Sequence, residues 1–347
     1  MRILLFSPLP PPAGGMALWT KQYLDYIQNK DISVDLINTA VTGKRSSDYT
    51  KKSLFEETLR ALKMLKSVFI CATNKKYDYA HINTSCSKGG IIRDRMVMQI
   101  LHFFKIRIIV QCHCNIDFAL RNKNSYKNFK KMLKLSDKCL VLNKSSENFV
   151  KEKFHTDAIL VPNFIPKEYQ RIINSPKKIN DEVKIALFVG HILTTKGCDN
   201  IIDAAKRFQD IEFRLVGHIS EIYRNIELPE NVILTGEKTH EQVNEEYANA
   251  DIMLFPTYTE GFPLTILEAM AYGLPIITTQ VGAIPDILEQ RGAIYVPINS
   301  TNCLVDAIEQ IKDKQRRVDM SYFNKEKVNK YQIDTVLDSL IKDIYYS

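Results

Sequence analysis

Two carboxylates stand eight residues apart on either side of a Gly-Phe-Pro turn, at Glu260 and Glu268. A helix is expected from Pro263 to Tyr272, because proline suits the first turn of a helix and Gly273 suits its C-terminus. Glu260 then precedes the helix, and Glu268 lies about one turn inside it. Carboxylates placed in this way can bracket an anion at the helix N-terminus and accept hydrogen bonds from the hydroxyls of a sugar.

The N-terminus of that helix is a candidate anion site. It follows the predicted strand Ile252 to Phe255, and open α/β sheets bind ligands at the carboxyl ends of their strands. Backbone N–H groups without a partner inside the helix suit a diphosphate, as does the helix dipole. The residues that supply these groups are Gly261, Phe262, Leu264 and Thr265.

The whole string from Thr259 to Gly273 closely resembles the motif of the group-1 family of retaining GT-B glycosyltransferases, with Glu-x7-Glu around Gly-Phe-Pro and Glu-Ala-Met-Ala-x-Gly-x-Pro after it. The resemblance implies an α/β GT-B fold, in which two Rossmann-like, doubly wound parallel-sheet domains flank an interdomain cleft. It also implies retaining, metal-independent hexosyl transfer without a cofactor. Uridine diphosphate sugars are the expected donors from family frequency, ahead of guanosine diphosphate mannose.

The resemblance extends to further positions along the chain. Gly14 and Gly15, after the first predicted strand, match the family's Gly-Gly loop, which approaches the donor phosphate across the cleft. His113 matches a histidine near the donor sugar. Lys196, which Gly197 follows, matches the basic residue that pairs with the diphosphate.

Three positions depart from the family pattern. His191 stands where the family usually has an arginine, which leaves the phosphate clamp with one fixed cation and one titratable group. Phe164 replaces the glycine that normally follows Pro162-Asn163, and His218 stands where Asp is frequent.

The resemblance also implies a role for each matching residue. Lys196 and the helix N-terminus would stabilise the charge that develops on the leaving diphosphate. Glu260 would face the hydroxyls of the donor sugar, His113 would line its anomeric face, and Glu268 would hold the nucleotide ribose. No carboxylate is assigned as a nucleophile. The acceptor is expected to be a glycan or lipid-linked glycan of a surface polysaccharide, such as a lipopolysaccharide or capsule.

Each position alone has a structural interpretation, and other function classes remain open. The glutamates can be a helix cap and a surface charge, the two glycines a tight turn, His113 a core histidine and Lys196 a loop lysine. The alternative functions are a non-catalytic nucleotide-sugar or nucleic-acid binding protein on the same scaffold, an epimerase and a phosphorylase. The basic segments lack the interleaved aromatic residues of single-strand binders, so nucleic acid is not the expected partner.

The chain is long enough for two domains, with 347 residues of which 45% are hydrophobic. Strand-like and helical runs alternate through both halves, which indicates two α/β units. An acceptor-side domain is expected at residues 1–172 and a nucleotide-sugar domain at residues 182–330, with a boundary near 170–180 where linker residues collect. By resemblance, a closing helix at 334–347 crosses back onto the first domain.

Basic residues are concentrated in the first half. Residues 1–170 carry 28 Lys and Arg against 14 Asp and Glu, and residues 171–347 carry 19 against 26. The segment from Thr50 to Lys76 has the pattern of a basic amphipathic helix, and Lys123 to Lys134 is also rich in lysine. These charges predict binding to an anionic membrane surface. The apolar stripe of the helix is expected to face the domain core, or else to lie on the membrane; its residues are Leu54, Leu62, Leu65 and Phe69.

The cysteines and the apolar runs of the sequence indicate the cellular compartment of the chain. The seven cysteines are scattered, which suits reduced thiols and implies no disulfide framework. Cys112-His113-Cys114 lacks the paired Cys spacing of a zinc site, so no metal is expected there. The N-terminal apolar run is too short for a signal peptide and the other runs are too short to span a membrane. We therefore expect a cytoplasmic chain, peripheral on the inner face of the cell membrane.

Overall fold

The structure is a computed structural model that describes residues 1–11, 14–40 and 54–347, and of Leu54 the backbone alone. Its contacts divide the chain into two units, Met1–Asn163 with Leu337–Ser347, and Phe164–Val336. The division lies ahead of the region 170–180 that the linker composition indicates. Phe164 and Ile165 are buried in the second unit, where Ile165 forms a β-bridge with Gln332.

The first unit contains one parallel sheet. Among the described residues, its strands run in the order β2-β1-β3-β4-β5-β6. These strands are β1 (Arg2–Ser7), β2 (Ser33–Asn38), β3 (Tyr79–Thr84), β4 (Arg107–Cys112), β5 (Lys138–Val141) and β6 (Ile159–Leu160). The helices between them are α1 (Gly15–Ile27), α2 (Leu54–Asn74), α3 (Gly90–Phe103), α4 (Ile116–Ala119), α5 (Lys123–Leu135) and α6 (Lys144–Phe154).

One face of this sheet carries the main apolar core of the first unit. Alternate residues of β1, β3 and β4 point to it, among them Phe6, Ile82 and Val110, because successive strand residues face opposite sides of a sheet. Met64 and Val68 of α2 pack into the same core. Helices α3 and α5 also contribute to it, so α2, α3 and α5 form a single layer over this face.

The apolar side chains of α2 do not all face that core. The interpretation that its stripe points inward is wrong for Leu62 and Phe69, which are both exposed, whereas Leu65 is partly buried. Helix α2 therefore has a second apolar side, which faces away from the sheet. Residues Thr50–Ser53, including Lys51 and Lys52 of the predicted basic segment, lie outside the described residues, as does the side chain of Leu54.

The second unit repeats the parallel-sheet architecture. Its described strands run in the order β12-β11-β10-β7-β8-β9, which is the 3-2-1-4-5-6 order of dinucleotide-binding sheets. They are β7 (Ile185–Val189), β8 (Glu212–Val216), β9 (Val232–Gly236), β10 (Ile252–Phe255), β11 (Ile276–Thr278) and β12 (Ala293–Tyr295). The helices are α7 (Gln170–Asn174), α8 (Cys198–Ala205), α9 (His240–Asn249), α10 (Leu264–Ala271), α11 (Ile284–Leu288), α12 (Thr301–Ile311) and α13 (Lys314–Val328).

Two local predictions differ from the structure in the second unit. Helix α10 starts at Leu264 rather than at Pro263, because Pro263 has an extended backbone (φ −77°, ψ 114°) and is the residue before the first helical turn. Helix α7 forms within the predicted linker and buries Ile173 against the second unit.

Among the described residues, no helix has both the length and the apolar character that crossing a membrane requires.

Residues Leu337–Ser347 belong to the first unit. Helix α14 (Ile333–Leu340) continues into a π-helical turn at Ile341–Tyr345. Tyr345 Oη lies 3.0 Å from Tyr23 Oη and 2.6 Å from His81 Nδ1, and all three side chains are buried. Lys138 Nζ donates to the carbonyl oxygen of Ile344 at 2.6 Å. The closing segment thus covers the face of the first sheet that lies opposite the α2, α3 and α5 layer.

Candidate functional site

The strand order of the second sheet reverses between β7 and β10, and Lys196 and Glu260 lie in the connections that follow these two strands. Lys196 Nζ is 2.5 Å from Glu260 Oε1, and both side chains are partly exposed. The hydroxyl of Thr257 donates to the same carboxylate oxygen at 3.2 Å. The structure thus joins two predicted site residues at the edge of the sheet where such folds bind ligands.

Close packing of three loops holds this pair in place. The backbone N–H of Tyr258 donates to the carbonyl oxygen of Thr195 at 2.9 Å. A Cβ atom on Gly197 would lie 2.2 Å from the carbonyl oxygen of Pro256, and one on Gly282 would lie 2.0 Å from that of Glu260. Both glycines have positive φ, so a larger residue at either position would strain the backbone and also clash.

The first turn of α10 begins four residues after Glu260. The N–H groups of Leu264 and Thr265 open the helix, where backbone donors have no acceptor within the helix itself. The carbonyl oxygen of Gly261 accepts from Ala283 N at 3.1 Å, and Phe262 is buried with its ring 5.7 Å from that of Tyr331. Of the four predicted donors, Leu264 and Thr265 lie in the first turn of α10, whereas Gly261 and Phe262 precede the helix.

Glu268 has surroundings of its own. Tyr247 Oη donates to Glu268 Oε2 at 2.9 Å, and the ring of Tyr247 stacks on that of Tyr272 with centroids 5.5 Å apart. Withdrawal from water raises the pKa of Glu268, while the Tyr247 hydrogen bond and nearby His240 act in the opposite direction. Within the described residues, the Glu268 carboxylate thus accepts a hydrogen bond from a neutral tyrosine, whereas the Glu260 carboxylate pairs with the charged Lys196.

Histidines follow two neighbouring strands at the same edge of the sheet. His191 comes after β7 and His218 after β8, and their ring centroids are 5.9 Å apart. His218 Nδ1 lies 3.4 Å from Glu237 Oε1, just beyond β9. The exposed His191 is thus located on the same sheet edge as Lys196.

The predicted Gly-Gly loop leads into α1 in the first unit. Gly14 is the residue before the helix and its carbonyl oxygen accepts from Leu18 N at 2.8 Å, with φ at −178°, a value open to any residue. A Cβ atom on Gly14 or Gly15 would have no neighbour within 4 Å among the described atoms. Within the described residues, neither backbone conformation nor packing therefore requires glycine at these two positions.

His113 directly follows β4, and its N–H donates to the carbonyl oxygen of Thr84 at 2.8 Å. Its ring makes an edge contact with Trp19 at a centroid distance of 5.3 Å. Burial, and next the nearby His81, lower its pKa to about 3, so the imidazole is neutral near pH 7. Its Nε2 atom is buried and has no hydrogen-bond partner in the part of the chain that the structure describes.

Two further polar residues, which no sequence motif marks, lie near the same ends of the strands. Asn83 and Gln111 are paired across β3 and β4, and both are buried. Asn83 Oδ1 and Gln111 Nε2 lack hydrogen-bond partners within the described ranges, although the other end of each amide is bonded. The sequence signal for them is a polar residue within an otherwise apolar strand. Buried polar groups normally have hydrogen-bond partners, so such a residue indicates either an internal partner or a ligand.

Comparison with known families gives a match in the second unit. Residues 170–327 match the family model described as Glycosyl transferases group 1. The chain is 26% identical over 261 residues to an uncharacterized 41.2 kDa protein in the cps region of Klebsiella pneumoniae, covering 69% of this chain and 71% of that protein. It is 30% identical over 224 residues to an uncharacterized glycosyltransferase of Methanocaldococcus jannaschii, covering 61% of each.

Solved structures resemble the chain over nearly its full length. Sucrose-phosphate synthase of Thermosynechococcus elongatus superposes with a TM-score of 0.78 at 17% identity, covering 99% of both chains. Anabaena HepE in complex with UDP and glucose gives 0.72 at 14% identity, also covering 99% of both. The lipopolysaccharide outer core galactosyltransferase WaaB gives 0.72 at 16% identity, covering 100% of this chain and 99% of that one. Together with the two parallel sheets, these likenesses establish a GT-B fold with two Rossmann-like units.

Proposed function

We propose that the chain is a glycosyltransferase that moves a sugar from a nucleotide diphosphate onto a glycan or lipid-linked glycan acceptor. The observation that carries the proposal is the Lys196–Glu260 pair beside the N-terminus of α10. A cation, free backbone donors and a carboxylate meet there at the switch point of a nucleotide-binding sheet. The match of residues 170–327 to group-1 glycosyl transferases supports the same assignment.

In this proposal, Lys196 exchanges its carboxylate partner for the donor diphosphate. The Lys196 ammonium and the N–H groups of Leu264 and Thr265 then stabilise the negative charge that develops on the leaving diphosphate, as preorganised donors do in enzymes. Glu260, released from Lys196, accepts hydrogen bonds from the sugar hydroxyls. Exposed His191 adds a second, titratable donor to the phosphates.

Glu268 is proposed to hold the ribose of the donor. Its Oε2 atom accepts from Tyr247, which fixes the carboxylate in one orientation and leaves its other oxygen for ribose hydroxyls. Because a carboxylate accepts hydrogen bonds from two neighbouring hydroxyls, it suits the 2′ and 3′ positions of a nucleoside. This role belongs to binding rather than to the transfer step.

In the first unit, we assign contacts with sugar hydroxyls to His113, Asn83 and Gln111. Their unpartnered atoms, Nε2, Oδ1 and Nε2 respectively, include acceptors and donors that a hydroxyl group can satisfy. Gly14 and Gly15 are proposed to leave room for a ligand to approach the backbone, which their open surroundings support. A neutral His113 would act as a hydrogen-bonding group rather than as a cation.

We propose a uridine diphosphate sugar as the donor, retention of the anomeric configuration, and catalysis without a metal. The UDP bound in the structure of HepE supports the choice of base. The relative in the cps region of K. pneumoniae and the likeness to WaaB support a surface polysaccharide or its lipid-linked precursor as the acceptor. Guanosine diphosphate mannose is the second candidate donor.

The test is nucleotide release from a panel of UDP-glucose, UDP-galactose, UDP-N-acetylglucosamine and GDP-mannose, with and without lipid-linked acceptors and with EDTA present. We expect one UDP sugar to release UDP, faster with acceptor, and the product to keep the donor's anomeric configuration by NMR. Donor binding without release under any acceptor condition would instead identify a non-catalytic binding protein. Loss of activity in EDTA that added divalent metal restores would overturn metal independence.

A further inference from the structure

Helices α2, α3 and α5 present a common outer surface in the first unit. They pack into one apolar core over one face of the sheet, with Met64 from α2, Leu101 from α3 and Phe129 from α5. Because all three helices lie in one layer, their solvent-facing sides point away from that sheet. We call this surface the outer helical face.

The outer helical face is apolar along α2. Phe55 and Leu62 are 75% and 56% exposed, and Leu59, Phe69 and Ile70 are also exposed. Residues 55, 59, 62 and 69 follow the i, i+4, i+7 spacing of one side of a helix, opposite the side that carries Met64 and Val68. Helix α2 thus has one apolar side for the core and another that is open to solvent.

The apolar surface continues onto the end of α3. The rings of Phe69 and Phe104 make an edge contact at 5.4 Å, and Phe103 contacts Phe104 at 5.3 Å. Phe103 is 78% exposed. Met96, seven residues earlier and so on the same side of α3, is also exposed. Clustered exposed aromatic and aliphatic side chains of this kind mark an interaction surface, whereas scattered single ones do not.

Lysines surround these apolar residues. Lys63 and Lys66 are exposed on α2, and the exposed side of α5 carries Lys123, Lys127, Lys130, Lys131 and Lys134. In the described residues, the exposed carboxylates of α2, α3 and α5 are Glu56 and Glu57, at the start of α2. The outer helical face therefore combines apolar side chains with a strong excess of positive charge.

We propose that the outer helical face docks the chain on an anionic lipid bilayer, with its aromatic and leucine side chains in the headgroup region and its lysines against anionic headgroups. An interfacial helix binds membranes through this combination of buried apolar area and cationic charge. A second copy of the chain would be a poor occupant, because two such faces would place lysines against lysines. The inference goes beyond the proposed sugar transfer, and its test reads binding rather than catalysis.

The test is co-sedimentation of the full chain with phosphatidylcholine vesicles, with and without phosphatidylglycerol, from about 0.05 to about 0.5 M NaCl. We expect binding to the anionic vesicles at least about ten-fold stronger than to the neutral ones at low salt. Part of the binding should persist at high salt, because apolar contacts are not screened. Absence of binding to anionic vesicles at low salt would overturn the proposal.

Variants separate the apolar contribution from the charged one. The apolar variant combines Phe55→Gln, Leu62→Gln and Phe103→Gln, and its matched control is Ile222→Gln with Tyr322→Gln, two exposed apolar residues of the second unit. The apolar variant should lose the salt-resistant binding by about ten-fold or more, while the control binds as the unmodified chain does. Circular dichroism checks that each variant is folded.

The charged variant reverses Lys63, Lys66, Lys130 and Lys131 to Glu, with Lys330→Glu as its control. It should lose the low-salt binding, and an unchanged affinity would overturn the role of these lysines. A Phe55→Trp variant should show a blue-shifted emission on anionic vesicles, whereas Tyr322→Trp should not. A stable dimer in solution that the apolar variant converts to monomers would assign the face to a second copy and overturn membrane docking.

Discussion

Lys196 Nζ lies 2.5 Å from Glu260 Oε1, although the two residues are far apart in sequence and lie in the loops after two different strands. Those strands, β7 and β10, are neighbours at the point where the strand order of the second sheet reverses. The pair therefore sits where a doubly wound sheet opens to a ligand. We propose that the diphosphate of a donor takes the place of Glu260 as the partner of Lys196.

Replacing Lys196 should reduce turnover far more than stability. Lys196→Ala removes the cation proposed to oppose charge on the leaving diphosphate, so we expect kcat to fall by about 100-fold to 1,000-fold. Lys206→Ala is the matched control, because Lys206 is an exposed lysine paired with Asp203 on the surface. Steady-state nucleotide release measures both variants. A fall of less than about three-fold for Lys196→Ala would remove the lysine from the mechanism.

The two glutamates should differ in which kinetic constant they control. Glu268→Ala should raise the donor KM strongly, because the ribose loses its acceptor, and Glu260→Ala should mainly depress kcat. The expectation follows from their separate partners, Tyr247 for Glu268 and Lys196 for Glu260. Initial rates over a range of donor concentrations separate the two effects. Near-unmodified kinetics in both variants would remove the assignment.

Glu268 should also impose a stability cost that depends on pH. Burial raises the pKa of Glu268 in the folded chain, so folding favours its protonated form and the ionised form is destabilising. Stability from this group is present at acidic pH and is lost as pH rises through the folded-state pKa. Glu268→Gln should therefore be more stable than the unmodified chain at neutral pH, and the difference should shrink toward pH 4.

Thermal unfolding of Glu268→Gln and of the unmodified chain at several pH values measures this difference. The glutamine can still accept from Tyr247, which keeps the local packing. A difference in melting temperature that stays constant from pH 4 to pH 8 would show that ionisation of Glu268 is not its cause. Lower donor affinity in the more stable variant would indicate that this carboxylate is retained for binding.

Substitution of Gly15 in the Gly-Gly loop should reduce turnover without reducing stability, whereas substitution of Gly282 should reduce stability. Gly15→Ala places a methyl group at the start of α1, where no described atom lies within 4 Å of it, so folding should be unaffected or stabilised by up to about 1 kcal/mol. Donor-dependent turnover should nevertheless fall if the loop admits a ligand. Gly282→Ala is the comparison variant, since its Cβ would meet the carbonyl oxygen of Glu260 at positive φ.

Chemical unfolding and activity assays distinguish these two glycines. Gly282→Ala should be destabilised by about 1 to 3 kcal/mol, because backbone strain and a steric clash act together. If Gly15→Ala is folded and fully active, the loop has no role in ligand binding. If it is unfolded, the open surroundings described for Gly15 are wrong.

Much of the fold follows from the sequence alone, for identifiable reasons. Buried parallel strands such as Ile252–Phe255 are continuous apolar runs, and their alternation with helices predicts two α/β units. The short strands β11 and β12 were not predicted, because three residues are too few to show a pattern. In the candidate site, Pro263 and Gly273 predict a helix between them, and α10 (Leu264–Ala271) forms there.

Other features depend on tertiary contacts that no local pattern contains. Helix α2 has apolar residues on two sides, and only packing against the sheet determines that Val68 faces inward while Leu62 faces outward. The pairing of Lys196 with Glu260 requires the strand order of the second sheet. Asn83 and Gln111 were missed because a polar residue in a buried strand becomes informative only when its partners are known.

The most direct test of the proposed donor site is a crystal structure of the chain with a UDP sugar or UDP bound. We expect the diphosphate to lie within hydrogen-bond distance of Lys196 Nζ and of the N–H groups of Leu264 and Thr265, with the Lys196–Glu260 contact lengthened. We also expect Glu268 to accept hydrogen bonds from the ribose. Phosphates located away from both Lys196 and the first turn of α10 would contradict this donor site.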